Sequence, residues 1–186
     1  MDVVSEYHLD RDDRIVHVSA GFAAFATENG GEQLLNDIVG RSIWQYVSGV
    51  HTRSLYADMF EQVRARGREV SLPFRCDSPA VRRYMTLVIS PLDGRGLRIV
   101  ARLDRMEQRE PVRLLDPRVP RSGPAIEGCS LCRRMVVPDA GWVSVEQAVA
   151  RLRLFDEAQM PPITHGVCPA CDAEFNQRLA VLRTES

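Results

Sequence analysis

Apolar residues in the first hundred positions follow two different periods. Between residues 52 and 66 they recur every three to four positions, with Leu55, Met59 and Val63 on one face, which predicts an amphipathic helix. Between residues 70 and 103 apolar and polar residues alternate, which predicts three strands joined by short turns. The change of period therefore places a helix directly before an antiparallel meander.

A shorter pair of alternating runs opens the chain. Residues 6–9 and 15–18 flank a polar segment that is typical of a hairpin turn, and Ser19 can cap a helix that follows. The order is then two strands, several short helices and three strands. This order predicts an α+β fold in which a five-stranded antiparallel sheet carries helices on one face.

The character of the chain changes after residue 105. Four prolines fall within residues 106–127, which predicts a linker, although residues 107–115 could form a short helix. The chain is accordingly divided into a domain at residues 1–105, this linker, and a small module at residues 128–186. The linker prolines are Pro111, Pro117, Pro120 and Pro124.

The small module is predicted to contain two helices. Ser144 and Gln147 fit a capping box that begins the first helix, and residues 173–183 form the second amphipathic stretch. Trp142 and Phe155 flank the first helix and are expected to pack over the cysteine pairs of the module.

Those cysteines form two identical Cys-x-x-Cys pairs. Cys129 and Cys132 make the first pair, Cys168 and Cys171 make the second, and only five cysteines occur in the chain. Two such pairs supply four sulfurs for a tetrahedral Zn²⁺, and a closed shell of four thiolates indicates a structural ion. Iron is the competing metal, because four thiolates also bind iron as in rubredoxin. His165 is a rival ligand, for which a hydrogen bond near the site is the preferred role.

Composition excludes several classes of function. The net charge is −1, and all 24 basic residues are arginine, so chemistry that requires a lysine amine is excluded. No apolar run reaches the length of a membrane span, and the first residues do not resemble a secretory signal. We therefore expect a cytoplasmic protein whose cysteines stay reduced. No nucleophile, phosphate loop or open metal site is recognisable, which favours a protein that is not an enzyme.

Residues 1–105 resemble a PAS domain, the sensory module of many bacterial signalling proteins. The resemblance is carried by the hairpin at residues 9–18, by Phe22 and Phe25 in the first helix, by the loop at residues 38–42 and by the final meander. It implies that the domain senses a small molecule or a partner, and that a homodimer can form. Ser19 replaces a frequent asparagine, and the Asn-Cys-Arg motif of flavin-binding members is absent, so a flavin photosensor is excluded.

A set of aromatic residues is positioned to line a ligand cavity in such a domain, although these residues could equally form a plain core. The identity of a bound small molecule cannot be read from them. Haem would need an axial ligand, for which His51 is the best-placed histidine, but a surface role is preferred. The candidate cavity residues are Phe22, Phe25, Trp44, Tyr56, Phe60 and Phe74.

These features together predict a regulatory protein without an enzymatic output. The PAS-like domain would sense a ligand, and the metal-held module would relay this by contact with a protein partner. Nucleic acid is a less favoured partner, since only Arg133 and Arg134 flank the first cysteine pair. The alternative is an iron-containing, rubredoxin-like protein that transfers electrons or senses redox state.

Overall fold

A computed structural model describes residues 2–28, 31–155 and 157–184 of the chain. None of the helices in these ranges is both long enough and apolar enough to cross a membrane. The first half contains β1 (Asp2–Leu9), β2 (Ile15–Val18), α1 (Ala20–Glu28), α2 (Val50–Arg66), β3 (Val70–Arg75), β4 (Val81–Leu92) and β5 (Gly96–Gln108). The second half contains β6 (Ile126–Cys129), β7 (Met135–Val137), β8 (Gly141–Val143), α3 (Val145–Arg151), β9 (Ile163–Gly166) and α4 (Pro169–Thr184). Short 3-10 helices occupy Glu32–Leu34, Ile43–Gln45, Asp93–Arg95 and Arg113–Leu115.

The first half forms one five-stranded antiparallel sheet, which confirms the predicted α+β architecture. Its strand order is β2-β1-β5-β4-β3, and we call it the N-terminal sheet. β1 begins at Asp2, four residues before the predicted strand, because it pairs with β5 along its whole length. A bulge between Val3 and Ser5 interrupts this pairing.

The predicted helix before the meander is present as α2. Met59 and Val63 of this helix are fully buried, because they pack against the N-terminal sheet. The helix ends at Gly67, which has φ 64° and donates its N–H to the carbonyl of Val63. The N-terminal cap of α1 is also confirmed, since the amide of Phe22 donates to the hydroxyl oxygen of Ser19 at 3.1 Å.

The second half contains a four-stranded sheet that the sequence pattern did not predict. Its order is β8-β7-β6-β9, with β9 parallel to β6 and the other pairs antiparallel. Both predicted helices are present, and α3 begins with the predicted capping box of Ser144 and Gln147. We call residues 126–184 the cysteine unit.

The cysteine unit and the N-terminal sheet share one hydrophobic core. Phe175, Leu179 and Leu182 of α4 are buried in the same cluster as the inner face of the sheet. α4 packs against α2 and β3, so it covers the side of the N-terminal sheet that β3 would otherwise expose. The cysteine unit is therefore part of the packing of the first half.

The segment between the two halves is ordered around a second, smaller core. β5 continues to Gln108, beyond the boundary predicted at residue 105, because β4 is long enough to pair Val81 with Gln108. The expected helix at residues 107–115 is reduced to the single turn Arg113–Leu115. Val112 and Leu114 are buried beside α3, so this segment packs as part of the fold.

An ion-pair network ties α3 to the N-terminal sheet. Glu146 of α3 accepts hydrogen bonds of 2.8 Å from both Arg82 and Arg109. Arg109 also lies 3.4 Å from the carboxylate of Asp77, whose side chain is fully buried. Burial alone would raise the pKa of Glu146, but the hydrogen bonds from Arg82 and Arg109 outweigh it and lower that pKa to about 2.

Replacing Glu146 with glutamine is expected to lower the free energy of unfolding by about 2 kcal/mol at pH 6, since hydrogen bonds to charged groups are lost. The folded pKa lies below the unfolded value, so this stabilisation is complete above pH 4.5 and is lost as the pH falls toward 2. Urea unfolding of both proteins between pH 6 and pH 2.5 measures the difference. Glu110→Gln is the control, because Glu110 is exposed and has no ion pair within the described ranges. An equal effect of the two substitutions at pH 6 would contradict the role of the network.

Candidate metal centre and ligand cavity

The fold of the cysteine unit brings the two cysteine pairs together. Cys129 ends β6, and Cys132 lies in the turn that leads to β7. Cys168 and Cys171 lie just before and within the first turn of α4. The parallel pairing of β6 with β9 places Cys129 opposite Gly166, and the second pair follows two residues later. The four cysteines form what we call the cysteine cluster.

The geometry of the cysteine cluster fits one tetrahedral metal ion. Its four Sγ atoms all lie within 4.8 Å of one another, and those of Cys132 and Cys168 are 3.6 Å apart. Metal–sulfur bonds of about 2.3 Å in a tetrahedron place the sulfurs roughly 3.8 Å apart. Cys129 and Cys168 are buried, and the other two are half-buried. These residues can therefore hold a metal ion with all four positions filled by sulfur.

The electrostatics of the cysteine cluster also favour a cation. Hydrogen bonds from the thiols of Cys132 and Cys171 lower the pKa of Cys129. The hydrogen bond between Cys132 and Cys129 raises the pKa of Cys132 to about 12. The pKa of Cys171 is raised by its hydrogen bonds to Cys129 and Cys132. One thiolate is thus stable among its neighbours, whereas four require a positive ion between them.

Three other residues of the cysteine unit had expected positions near the cysteines. His165 has an exposed side chain and is not in the metal-binding group found among residues 2–28, 31–155 and 157–184. Trp142 packs against the shared core that contains Cys129. The expectation for Phe155 was wrong, because its side chain is 65% exposed and lies beside residues 110–114.

The first cysteine pair is anchored to the N-terminal sheet and α2. The buried hydroxyl of Thr52 lies 3.0 Å from that of Ser130, which stands between Cys129 and Cys132. The amide of Arg75 at the end of β3 donates to the carbonyl of Leu131 at 2.7 Å. These two contacts fix the position of the cysteine cluster relative to both α2 and β3.

A cavity of about 420 Å³ lies between the helices and the inner face of the N-terminal sheet. Five of the six predicted aromatic residues line it. The exception is Trp44, whose ring packs 5.6 Å from that of Phe60 while its Nε1 donates to the carboxylate of Asp13. The cavity is lined by Ser5, Tyr7, Phe22, Phe25, Ala26, Gly31, Ile43, Val47, Tyr56, Phe60, Phe74, Cys76, Met85, Leu87 and Ala101.

Sequence reasoning missed the polar groups of the cavity. Ser5 and Tyr7 alternate along β1 and line the cavity from the sheet, and the predicted strand, which began at residue 6, did not include Ser5. Cys76 directly follows β3 and also lines the cavity. Burial raises the pKa of the Cys76 thiol, opposed in part by the charge of nearby Arg133.

The cavity and the cysteine cluster are joined by direct packing. Tyr56 of α2 lines the cavity and makes an edge contact with Phe175 of α4, with ring centroids 5.8 Å apart. Phe175 lies one helical turn after Cys171. One turn before Tyr56, Thr52 contacts Ser130 of the first cysteine pair. His51, the candidate haem ligand, instead places its Nε2 2.8 Å from the carboxylate of Asp172.

Comparisons with known proteins do not assign the chain to a family. No protein-family model matches the chain, and no curated protein matches it. Among solved structures, the chain is similar to the PAS domain of an HTR-like protein from Haloarcula marismortui, at 17% sequence identity, covering 53% of this chain and 79% of that chain. The TM-score is 0.32, a value too low to carry an argument about fold or function. The architecture therefore rests on the strand pairings of this chain.

Proposed function

We propose that this protein is a non-enzymatic sensory protein with a PAS-like N-terminal domain. Its cavity binds a small molecule, and the cysteine unit relays binding by contact with a protein partner. The observation that carries this proposal is the largely apolar cavity of about 420 Å³ that residues of α1, α2 and the N-terminal sheet line. That volume is within the range of small-molecule sites, about 300–1,000 Å³.

The metal of the proposal is Zn²⁺ in a structural role. Four sulfur ligands leave no open coordination position, so the ion stabilises the fold and has no site for a substrate. Iron in the same cluster would instead support an electron-transfer or redox-sensing protein. Metal analysis and the visible absorption spectrum of the purified protein distinguish the two, because ferric iron bound by four thiolates is red and zinc is colourless.

The proposed relay runs through α2. A ligand that fills the cavity contacts Tyr56, and Tyr56 packs on Phe175 of α4. The same helix contacts Ser130 through Thr52, so a shift of α2 is transmitted to both cysteine pairs. A protein partner is favoured over nucleic acid, because the chain has a net charge of −1 and the cysteine unit exposes apolar Phe155 and Val181.

Ligand binding is tested by native mass spectrometry of the full chain purified without added metal. We expect one zinc per chain and a retained small molecule in a fraction of the protein. Ala101→Leu is expected to remove the retained molecule, since Ala101 lines the cavity and a larger side chain fills part of it. Ala24→Leu is the control, because Ala24 is on the exposed face of α1.

Two results would count against the proposed sensory function. One is a wild-type spectrum without any small molecule combined with failure of added apolar compounds to shift the unfolding temperature. The other is retention of the same molecule by Ala101→Leu and wild type alike. The spectrum also gives the number of subunits, which tests the expected homodimer.

A further inference from the structure

Three residues that carry hydroxyl groups line the otherwise apolar cavity. Ser5 and Tyr7 project from β1 on one side, and Tyr56 projects from α2 on the other. Within residues 2–28, 31–155 and 157–184, none of these side chains makes a hydrogen bond. By contrast Glu6, on the opposite face of β1, is held by Arg98 at 2.6 Å. A guest that displaces water from these hydroxyls has to accept their hydrogen bonds, because a hydroxyl left without water or another partner is unfavourable.

The rest of the lining defines the charge of that guest. No arginine, histidine, aspartate or glutamate is among the described residues that line the cavity. Two arginines lie behind this wall: Arg83 stacks on the ring of Phe25, and the charge of Arg133 acts on the Cys76 thiol. An ammonium group in the cavity would therefore be desolvated without a counter-charge, and a carboxylate would find no arginine among the lining residues.

We infer that the cavity selects a neutral, largely apolar molecule with a carbonyl-type oxygen that accepts hydrogen bonds from Tyr7 and Tyr56. This inference rests on the proposed function, since it specifies the ligand of the same cavity. The aromatic and aliphatic wall binds the apolar body, and the phenols orient its single polar group. Specificity follows because an analogue without the acceptor leaves both hydroxyls unpaired.

The ionisation of the two phenols is consistent with a donor role. Burial raises the pKa of Tyr56 to about 12. Burial also raises the pKa of Tyr7, and the neighbouring Tyr56 raises it further. Both side chains therefore keep their protons throughout the physiological pH range and remain available as donors.

Three test compounds with the same naphthalene ring separate the effect of a hydrogen-bond acceptor on binding from the effects of charge and of the apolar ring alone. They are 2-acetylnaphthalene, a neutral ketone; 2-ethylnaphthalene, its hydrocarbon counterpart; and 2-naphthoate, the carboxylate. Binding to the zinc-loaded full chain is measured by titration calorimetry. We expect the ketone to bind about tenfold more tightly than the hydrocarbon, the equivalent of one to two hydrogen bonds. We expect the carboxylate to bind at least tenfold more weakly than the ketone.

Substitution of the two tyrosines tests whether their hydroxyl groups cause the preference for the ketone over the hydrocarbon. Tyr7→Phe and Tyr56→Phe are each expected to reduce ketone affinity about five- to tenfold while hydrocarbon affinity stays the same or rises. Both variants keep the aromatic ring, including the edge contact of Tyr56 with Phe175. Tyr46→Phe is the matched control, because Tyr46 is half-buried outside the described cavity lining and its substitution should leave the ratio unchanged.

The possible results separate the inference from the proposed function. Equal binding of ketone and hydrocarbon by wild type, or strongest binding of the carboxylate, overturns the inference while ligand binding itself stands. A ketone preference that persists in both tyrosine variants overturns the assignment to Tyr7 and Tyr56. Failure of all three compounds, together with absence of any co-purified molecule, removes both. If either variant loses its fold, the wild-type ratio of the three compounds still decides the ligand class.

Discussion

Replacing Cys168 with serine is expected to abolish stoichiometric metal binding and to lower the free energy of unfolding by about 4 kcal/mol or more, as loss of a structural metal does. Cys168 is 1% exposed, and its amide donates to the sulfur of Cys129 at 3.4 Å. A serine hydroxyl does not replace a thiolate ligand at neutral pH. The remaining three cysteines offer an incomplete set of ligands, which is too weak to retain one ion per chain.

The loss should spread beyond the cysteine unit. Phe175 and Leu179 belong to the core of the N-terminal sheet, so α4 cannot detach without uncovering α2 and β3. Hydrogen exchange is therefore expected to rise in α2 as well as in α4 in the serine variant. Elemental analysis gives the metal content, and urea unfolding gives the stability.

Cys76→Ser is the matched control for this experiment. Cys76 lines the cavity and is not part of the cysteine cluster, so this variant should keep one metal ion per chain. The assignment of the metal centre is wrong if Cys168→Ser retains wild-type metal content and resists a chelator as wild type does. A loss of metal in both variants would place Cys76 among the ligands.

Gly49→Ala is expected to destabilise the protein nearly as strongly, by about 4 kcal/mol. The cause is strain in the backbone at positive φ, together with steric overlap between the added Cβ and a neighbouring carbonyl oxygen. Gly49 has φ 88° at the start of α2. A Cβ at this position would lie 2.4 Å from the carbonyl oxygen of His165 in β9. That oxygen belongs to backbone held beside β6, so it cannot move without separating the cysteine unit from α2.

Gly40→Ala separates the two causes. Gly40 has nearly the same φ, 89°, but a Cβ there would meet no atom within 4 Å. Gly40→Ala should therefore lower the free energy of unfolding only by the cost of backbone strain, about 1–3 kcal/mol. The difference between the two variants in urea unfolding measures the close approach of Gly49 to His165. Equal destabilisation by the two substitutions would show that this approach contributes nothing.

The parts of the fold that could be predicted from sequence are those set by local chemistry. The alternation of apolar and polar residues that ends at Leu103 predicted the meander. The capping box of Ser144 and Gln147, which spans only four residues, marked the start of α3. The cysteine cluster could be anticipated for the same reason, because each pair is a local motif whose sulfurs are brought to one point by a tight turn.

What could not be predicted depends on contacts between distant segments. The strands β6 to β9 are three or four residues long, too short for a periodic signal, and each residue of β9 pairs with a residue of β6 that lies 37 positions earlier. The close approach of Gly49 to His165 joins residues from opposite halves of the chain. Trp44 likewise turned from the cavity because its indole N–H bonds to Asp13.

The shared core has a consequence for how the protein is made. Leu9 in the first strand and Leu182 near the end of the last helix belong to one buried cluster, so a ribosome must synthesise nearly all of the described chain before that cluster can close. Until α4 emerges, the side of the N-terminal sheet that it covers is open to chaperones and proteases. With zinc as the proposed ion, the cellular level of the protein is therefore expected to fall when zinc is scarce, because metal binding would contribute to the stability with which α4 docks.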